Sequence, residues 1–303
     1  MTAPLAITGG TGFVGRCLLR LARERAIPIR ALTRRPQPAM EGVEWIEGAL
    51  DQPDSLARLA EGAAAIVHVA GAVNAPSRAA FEAGNIRGTQ AMVAAAKEAG
   101  VRRFLHVSSL AARERTLSDY CWSKAGAEIA VLGSGLDWTI VRPPAIFGPH
   151  DTEMLELFRM ARRGVVALPP RGRLSVIVVD DLCRLLLACL QAPETIGAIY
   201  EPDDGALEGW DHRGFARAIG EAVGRRVAPL SMPAALLKLG AKGDKALRGP
   251  RAKLTPDRVR YFLHPDWVSN PAKAPPLGLW HPMEPTPQAL TRTAAWYRAE
   301  GWL

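Results

Sequence analysis

Long apolar runs, metal-ligand spacings and paired cysteines are all missing from this 303-residue chain. The longest apolar candidate, Gly62 to Val73, is broken by His68 and falls short of the roughly 18 to 20 residues that a spanning helix needs. No integral membrane span is therefore expected. The four cysteines, Cys17, Cys121, Cys183 and Cys189, form no C-x-x-C pair and are too sparse for a disulfide scaffold, so reduced, packed thiols are expected. The six histidines, His68, His106, His150, His212, His264 and His281, include no H-x-x-x-H spacing, and no metal site is expected. A basic leader is missing too: Met1 runs within a few residues into an apolar strand and a glycine turn, which points to the cytoplasm.

Acids are scarce over one stretch. The net charge is +8, and much of the excess lies at Arg225, Arg226, Lys238, Lys242, Lys245, Arg248, Arg251, Lys253, Arg258 and Arg260. A solvated face of a second lobe explains such a run. Attraction for an anionic substrate, or peripheral contact with a membrane surface, stays open as the alternative, and nucleic acid is not expected.

What is present is an ordinary globular composition, 48% hydrophobic and 22% charged. The length exceeds a typical single core, so one large α/β domain with a smaller appended lobe is expected. Short β-branched runs alternate with longer amphipathic stretches, as in consecutive βαβ units. Predicted strands are Pro4 to Thr8, Ile29 to Thr33, Glu44 to Glu47, Ala65 to Ala70, Arg103 to Ser108, Trp138 to Arg142 and Ser175 to Val179. Predicted helices are Val14 to Arg25, Ser55 to Glu61, Asn85 to Ala99, Ser118 to Leu132, Asp151 to Arg162 and Asp180 to Gln191. After Tyr200 prolines and tryptophans accumulate and the alternation stops, which predicts a loop-rich lobe with a mobile flap at Leu239 to Thr255. The expected architecture is a Rossmann-type, doubly wound parallel sheet over residues 1–200, with a substrate-lobe excursion near 148–173 and a substrate-binding lobe over 201–303.

Strand Leu5 to Thr8 runs directly into Gly9-Gly10-Thr11-Gly12-Phe13-Val14-Gly15. Glycines here permit a tight turn and close approach of backbone N–H groups to a pyrophosphate, with the helix that begins near Phe13 supplying a positive end. A turn of purely structural purpose is the bland alternative, and the strand before and amphipathic helix after weigh against it. At the end of the second strand, where a carboxylate would read the ribose of NAD, the chain has Thr33 followed by Arg34 and Arg35. Two guanidiniums suit a 2′-phosphate, so NADP(H) is expected over NAD(H).

Ser108 and Ser109 close another strand, and Tyr120-Cys121-Trp122-Ser123-Lys124 opens a helix. The i, i+4 spacing puts Tyr120 and Lys124 on one face. An ammonium beside a phenol stabilises the phenolate and draws the tyrosine toward working pH, while a nearby serine hydroxyl steadies a substrate oxygen.

With these pieces the sequence resembles the extended short-chain dehydrogenase/reductase superfamily, including sugar-nucleotide epimerases and dehydratases, dihydroflavonol reductases and 3β-hydroxysteroid dehydrogenases. The likeness spans nearly the whole chain: Thr8 to Gly15, Val69-Ala70-Gly71, Asn85 to Thr89, His106 to Ser109, Tyr120 with Lys124, Arg142 to Pro149, and Val179 to Leu182. The resemblance implies that Tyr120 is the general acid/base, that Lys124 binds the nicotinamide ribose and tunes Tyr120, and that Ser109 or Ser108 orients the substrate oxygen. It also implies that Ala70 and Gly71 line the cofactor, that Pro143 to Ile146 lie against the nicotinamide, and that His150 is a substrate-contact candidate. Many relatives carry Gly-Asp after the third strand; here Ala49 follows Gly48, leaving the backbone of Leu50 as the adenine contact. A homodimer through the helices of Asn85 and Tyr120 is a family expectation. The Asp180-Asp181 pair reads as helix-start acids, and the late tryptophans as core of the second lobe.

The sequence therefore points to an enzyme that passes hydride between nicotinamide and the carbonyl or secondary alcohol of a small molecule. An epimerase or dehydratase with an internal redox cycle, and a non-catalytic dinucleotide-binding sensor or accessory subunit, are the alternatives. The substrate is not legible, because a fold that hosts many chemistries does not supply it.

Overall fold

The computed structural model describes residues 3–249, 252 and 254–303, the side chain of Lys245 aside. The chain divides into two compact units. The first comprises Met1–Arg142, Leu182–Tyr200 and Pro275–Trp280, and the second Pro143–Asp181, Glu201–Ala274 and His281–Leu303.

In the first unit the apolar runs become parallel strands β1 (Leu5–Thr8), β2 (Ile29–Thr33), β3 (Val43–Glu47), β4 (Ala65–His68), β5 (Arg103–Val107) and β6 (Asp137–Val141). They lie in the order 6-5-4-1-2-3, so the winding reverses between β1 and β4, where their carboxyl ends leave a crevice. Strands β1 and β4 are buried at every residue, as expected of a sheet covered on both faces. The covering helices include α1 (Phe13–Glu24) and α2 (Pro53–Ala60). A longer run begins with α3 (Arg78–Phe81), continues through a π-helical segment, Glu82–Arg87, and ends as α4 (Gly88–Glu98). The last before β6 is α5 (Asp119–Leu132). Leu56, Leu59, Ile66, Met92 and Phe104 are fully buried in one core cluster.

The second unit contains β7 (Ala145–Phe147), α6 (Leu155–Arg162), β8 (Val165–Leu168), β9 (Arg173–Leu174) and β10 (Val176–Val178), after which α7 (Val179–Gln191) leads back into the first unit. The seventh strand of the main sheet is the two-residue β11 (Ile199–Tyr200), beside β6. Then follow β12 (Trp210–Asp211), α8 (His212–Ala222), β13 (Ala228–Ser231), α9 (Ala234–Arg248), α10 (Pro256–Leu263), β14 (Asp266–Trp267) and α11 (Thr286–Ala299). The core of this unit gathers Phe147, Phe158, Phe215, Ile219, Leu290 and Tyr297.

Several expectations change. Residues 176–178 do form a strand, but it pairs with β7 instead of joining the main sheet. The helix expected from Asp151 starts at Leu155, because the Asp151 carboxylate accepts the N–H groups of Glu153 and Met154 and holds 151–154 as a turn. Among the described residues the region after Tyr200 holds four α-helices, and two of its prolines begin helices instead of breaking them: Pro256 opens α10, and Pro287 sits in the first turn of α11. Most of the expected flap is also helical, with Leu239 to Arg248 inside α9; Pro250, Arg251 and Lys253 lie outside the described residues. Asp180 and Asp181 do occupy the first turn of α7, and they have a further task. Asp181 accepts the N–H groups of Met283 and Glu284, and Asp180 pairs with Arg292 at 3.0 Å.

Tyr297 is fully buried and donates its hydroxyl to the Asp151 carbonyl at 2.8 Å. Tyr297→Phe leaves that carbonyl without its donor, so a urea melt is expected to show a loss of about 1 to 3 kcal/mol. An unchanged melt would show that water replaces the phenol.

Candidate active site

The glycine turn sits at the carboxyl end of β1, where the winding reverses. Gly9 has φ +74°, and a Cβ there would stand 2.8 Å from the Ala70 backbone nitrogen; a Cβ on Gly15 would stand 2.0 Å from the Gly9 carbonyl oxygen. Only glycines permit that crossing of turn, helix and neighbouring strand. Gly12 is the N-cap of α1 and contributes no capping side chain, so the amides that open the helix at Phe13 and Val14 are not covered by one. Thr11 and Gly12 are exposed, Phe13 and Val14 half-buried. This cradle fits a pyrophosphate.

Behind the turn runs a polar chain. The Ala70 N–H donates to Thr8 Oγ1, which lies 2.8 Å from His68 Nδ1, and His68 Nε2 lies 3.0 Å from Thr89 Oγ1. Thr89 gives its own proton to the Asn85 carbonyl, so His68 carries hydrogen on Nε2 and accepts the Thr8 hydroxyl on Nδ1. Burial, with Lys124 nearby, holds His68 down to about 3, and the ring is neutral. His106 stacks on it at 5.5 Å between centroids. Neither of the buried ring nitrogens of His106 has a hydrogen-bond partner among the described residues. Burial keeps that ring uncharged as well.

Helix α5 carries Tyr120 and Lys124, with Ser118 capping it through the Cys121 N–H. Lys124 is 6% exposed, and its ammonium donates to the Val107 carbonyl at the end of β5, 3.0 Å away. Burial lowers it from its ordinary 10.5 to about 8, against the opposing pull of Glu128. The Nζ lies 3.9 Å from where a Gly71 Cβ would be, so α5 and the edge after β4 face each other. The Tyr120 ring is half-buried beside Phe81, with centroids 5.9 Å apart.

The two serines have different surroundings. Ser108 donates to Glu128 Oε1 at 2.5 Å, and Glu128 takes both forks of Arg142 at 2.8 and 2.6 Å. Ser109 accepts the Ala111 N–H and caps a short 3₁₀ turn, Leu110–Glu114, which leaves its O–H proton for another acceptor.

Asn85, Glu128 and Arg142 were not picked out as site residues by sequence reasoning. Asn85 accepts the Ala72 N–H at 2.6 Å, returns a bond to the Ala72 carbonyl at 3.0 Å, and donates to Ser123 Oγ at 2.8 Å. It thereby ties the segment after β4 to α5. Asn85 and Arg142 entered only as the first residues of two family signatures, Asn85 to Thr89 and Arg142 to Pro149. The signal for Glu128 was its place four residues after Lys124 on one helical face.

Other predicted residues lie further out. Leu50 turns its side chain onto Gly88, leaving its backbone at the end of the β3 loop. Pro143 and Ile146 belong to the second unit, Ile146 within β7. His150, also in that unit, is exposed at φ +73° and packs on Trp296 at 4.4 Å between centroids.

Comparison with known proteins decides the family. The family described as NAD(P)H-binding matches residues 9–191. A ceramide reductase from Caulobacter vibrioides is 36% identical over 99% of this chain and 96% of that protein. The chain belongs to the extended short-chain dehydrogenase/reductase superfamily. This superfamily member is an NAD(P)-binding protein of the oxidoreductase and epimerase type. Two solved structures share its fold. WbmG of Bordetella bronchiseptica in complex with NAD aligns at TM-score 0.77 with 18% identity, over 100% of this chain and 96% of that one. MoeE5 in complex with UDP-glucuronic acid and NAD aligns at 0.76 with 19% identity, over 98% and 99%.

These neighbours carry NAD, and that overturns the expectation of NADP(H). The arginines that prompted it are exposed, and Thr33 turns its hydroxyl back onto the Arg35 carbonyl at 2.7 Å. Arg34 and Arg35 thus decorate a turn closed by Thr33, and exposed guanidiniums at a strand end are the ordinary state of arginine.

The depressed Lys124 has a consequence for stability. Between about pH 8 and 10.5 the unfolded chain holds a proton that the folded chain has released, so folding gains stability as pH rises through that window. The unfolding free energy of the wild type, from urea melts, is expected to rise relative to Lys124→Met across it, by up to about 3 kcal/mol. Parallel pH profiles would place the ammonium in water.

Proposed function

We propose that the chain is an NAD(H)-dependent oxidoreductase acting on a carbonyl or secondary alcohol of a ceramide-class lipid. The observation that carries this reading is the end-to-end match to the ceramide reductase. A ceramide bears one secondary hydroxyl, and the matching ketone is the carbonyl such an enzyme would reduce.

NADH held at the glycine turn would supply hydride to the carbonyl carbon. Tyr120, half-buried in the first turn of α5, gives its phenolic proton to the carbonyl oxygen. Lys124 spends one donor on Val107 and has two left for a ribose hydroxyl and for steadying the phenolate. Ser109 supports the substrate oxygen better than Ser108, since Ser108 is committed to Glu128. Gly9, Gly12 and Gly15 would hold the pyrophosphate, while Ala70, Gly71 and the Leu50 backbone would line the nucleoside. Glu128 and Arg142 act through Ser108 and the strand ends, as positioning residues.

The test is NADH oxidation by the full chain with 3-keto-ceramide in mixed micelles. Turnover is expected, and Tyr120→Phe is expected to lower kcat about 10²- to 10⁴-fold with NADH affinity within about twofold. No turnover on any ceramide-class ketone contradicts the lipid assignment. Equal turnover by Tyr120→Phe contradicts the acid/base role, and turnover with catalytic NAD and no net oxidation indicates epimerisation.

A further inference from the structure

Helix α9 shows solvent an apolar stripe. Leu236, Leu239 and Leu247 are 50, 65 and 88% exposed, and Gly240 and Gly243 stand between them at positions i+4 and i+7 from Leu236. This spacing is one face of a helix. The opposite side is spent on the protein: Ala241 is fully buried, Leu237 is half-buried, and α10 packs against the helix. Lys238 and Lys242, both exposed, stand one turn apart on the flank of the stripe. The single acid of the helix, Asp244, is engaged by the Leu254 N–H at 2.8 Å and by Arg248 at 3.3 Å.

Exposed leucines beside lysines, with the acid turned away, match an amphipathic helix that lies in the headgroup layer of an anionic bilayer. We infer that α9 docks the protein on an anionic membrane surface, with Leu236, Leu239 and Leu247 entering the headgroup boundary and Lys238 and Lys242 meeting lipid phosphates. A second copy of the chain fits worse. Its α9 would bring four basic residues against four, with one acid each, and three leucines fall far short of the roughly 1,200 Å² of a stable interface. The inference stands on α9 itself; its usefulness for delivering a lipid substrate rests on the proposed function.

Flotation of the full chain with vesicles, without substrate or NADH, keeps the two ideas separate. Vesicles of phosphatidylcholine with about 30 mol % phosphatidylglycerol are expected to carry the protein, while pure phosphatidylcholine carries at least about tenfold less. The Leu236→Glu/Leu239→Glu variant and, independently, Lys238→Glu/Lys242→Glu are expected to lose at least about tenfold in bound fraction with unchanged circular dichroism. About 0.5 M salt is expected to weaken wild-type binding, a readout that needs no variant. Failure of the wild type to float with anionic vesicles overturns the inference, as does equal flotation of the folded variants. So does a wild-type dimer that the leucine variant dissolves, since the stripe would then cover another copy.

Discussion

How closely α1 approaches the end of β1 is the constraint on which the first unit depends. The Gly9 carbonyl sits where any side chain at Gly15 would be, and the Ala70 amide sits where one at Gly9 would be. This packing brings the turn, the helix and the neighbouring strand together at the point where the winding of the sheet reverses. It also leaves the opening amides of α1 free of a capping side chain, beside a crevice formed by parallel strand ends. The same absence of Cβ atoms that lets the chain cross itself makes room for a phosphate.

A second arrangement fixes α5. Its two buried charges are both held by strand ends, Lys124 by the Val107 carbonyl and Glu128 by Ser108 and Arg142. Buried charges contribute little net stability, but they tolerate few alternative positions, since removing one partner strands the other. Asn85 adds the third side, joining α5 to the segment after β4. Tyr120 rides on a helix whose register is thus determined by polar contacts on its inner face. The neutral His68 and His106 complete the surroundings; with no charge of their own beside Lys124, they leave its ammonium as the local cation.

Legibility in the sequence followed the range of each interaction. Strands β1 to β6, the glycine turn and the Tyr120–Lys124 pair have local signals, namely apolar runs, glycine spacing and i, i+4 spacing, and all were readable within a residue or two. Asn85 was harder, because the π-helical segment from Glu82 to Arg87 shifts the helix register that a 3.6-residue period assumes. The Glu128–Arg142 pair joins a helix to a strand end and has no signature of its own. Strand β11 is two residues long, below what alternation detects. Proline density misled in the second unit, since proline marks a helix start as well as a loop. Arg34 and Arg35 suggested a phosphate by chemistry alone, whereas cofactor choice depends on the shape of a turn that Thr33 closes on itself.

Calorimetric titration of the full chain with NADH tests most directly whether the glycine crossing is a dinucleotide site. One saturable site per chain is expected, weakened at least about tenfold in Gly15→Ala, whose added Cβ would displace the Gly9 carbonyl. No saturable binding to the wild type, or unchanged affinity in a folded Gly15→Ala variant, would contradict it.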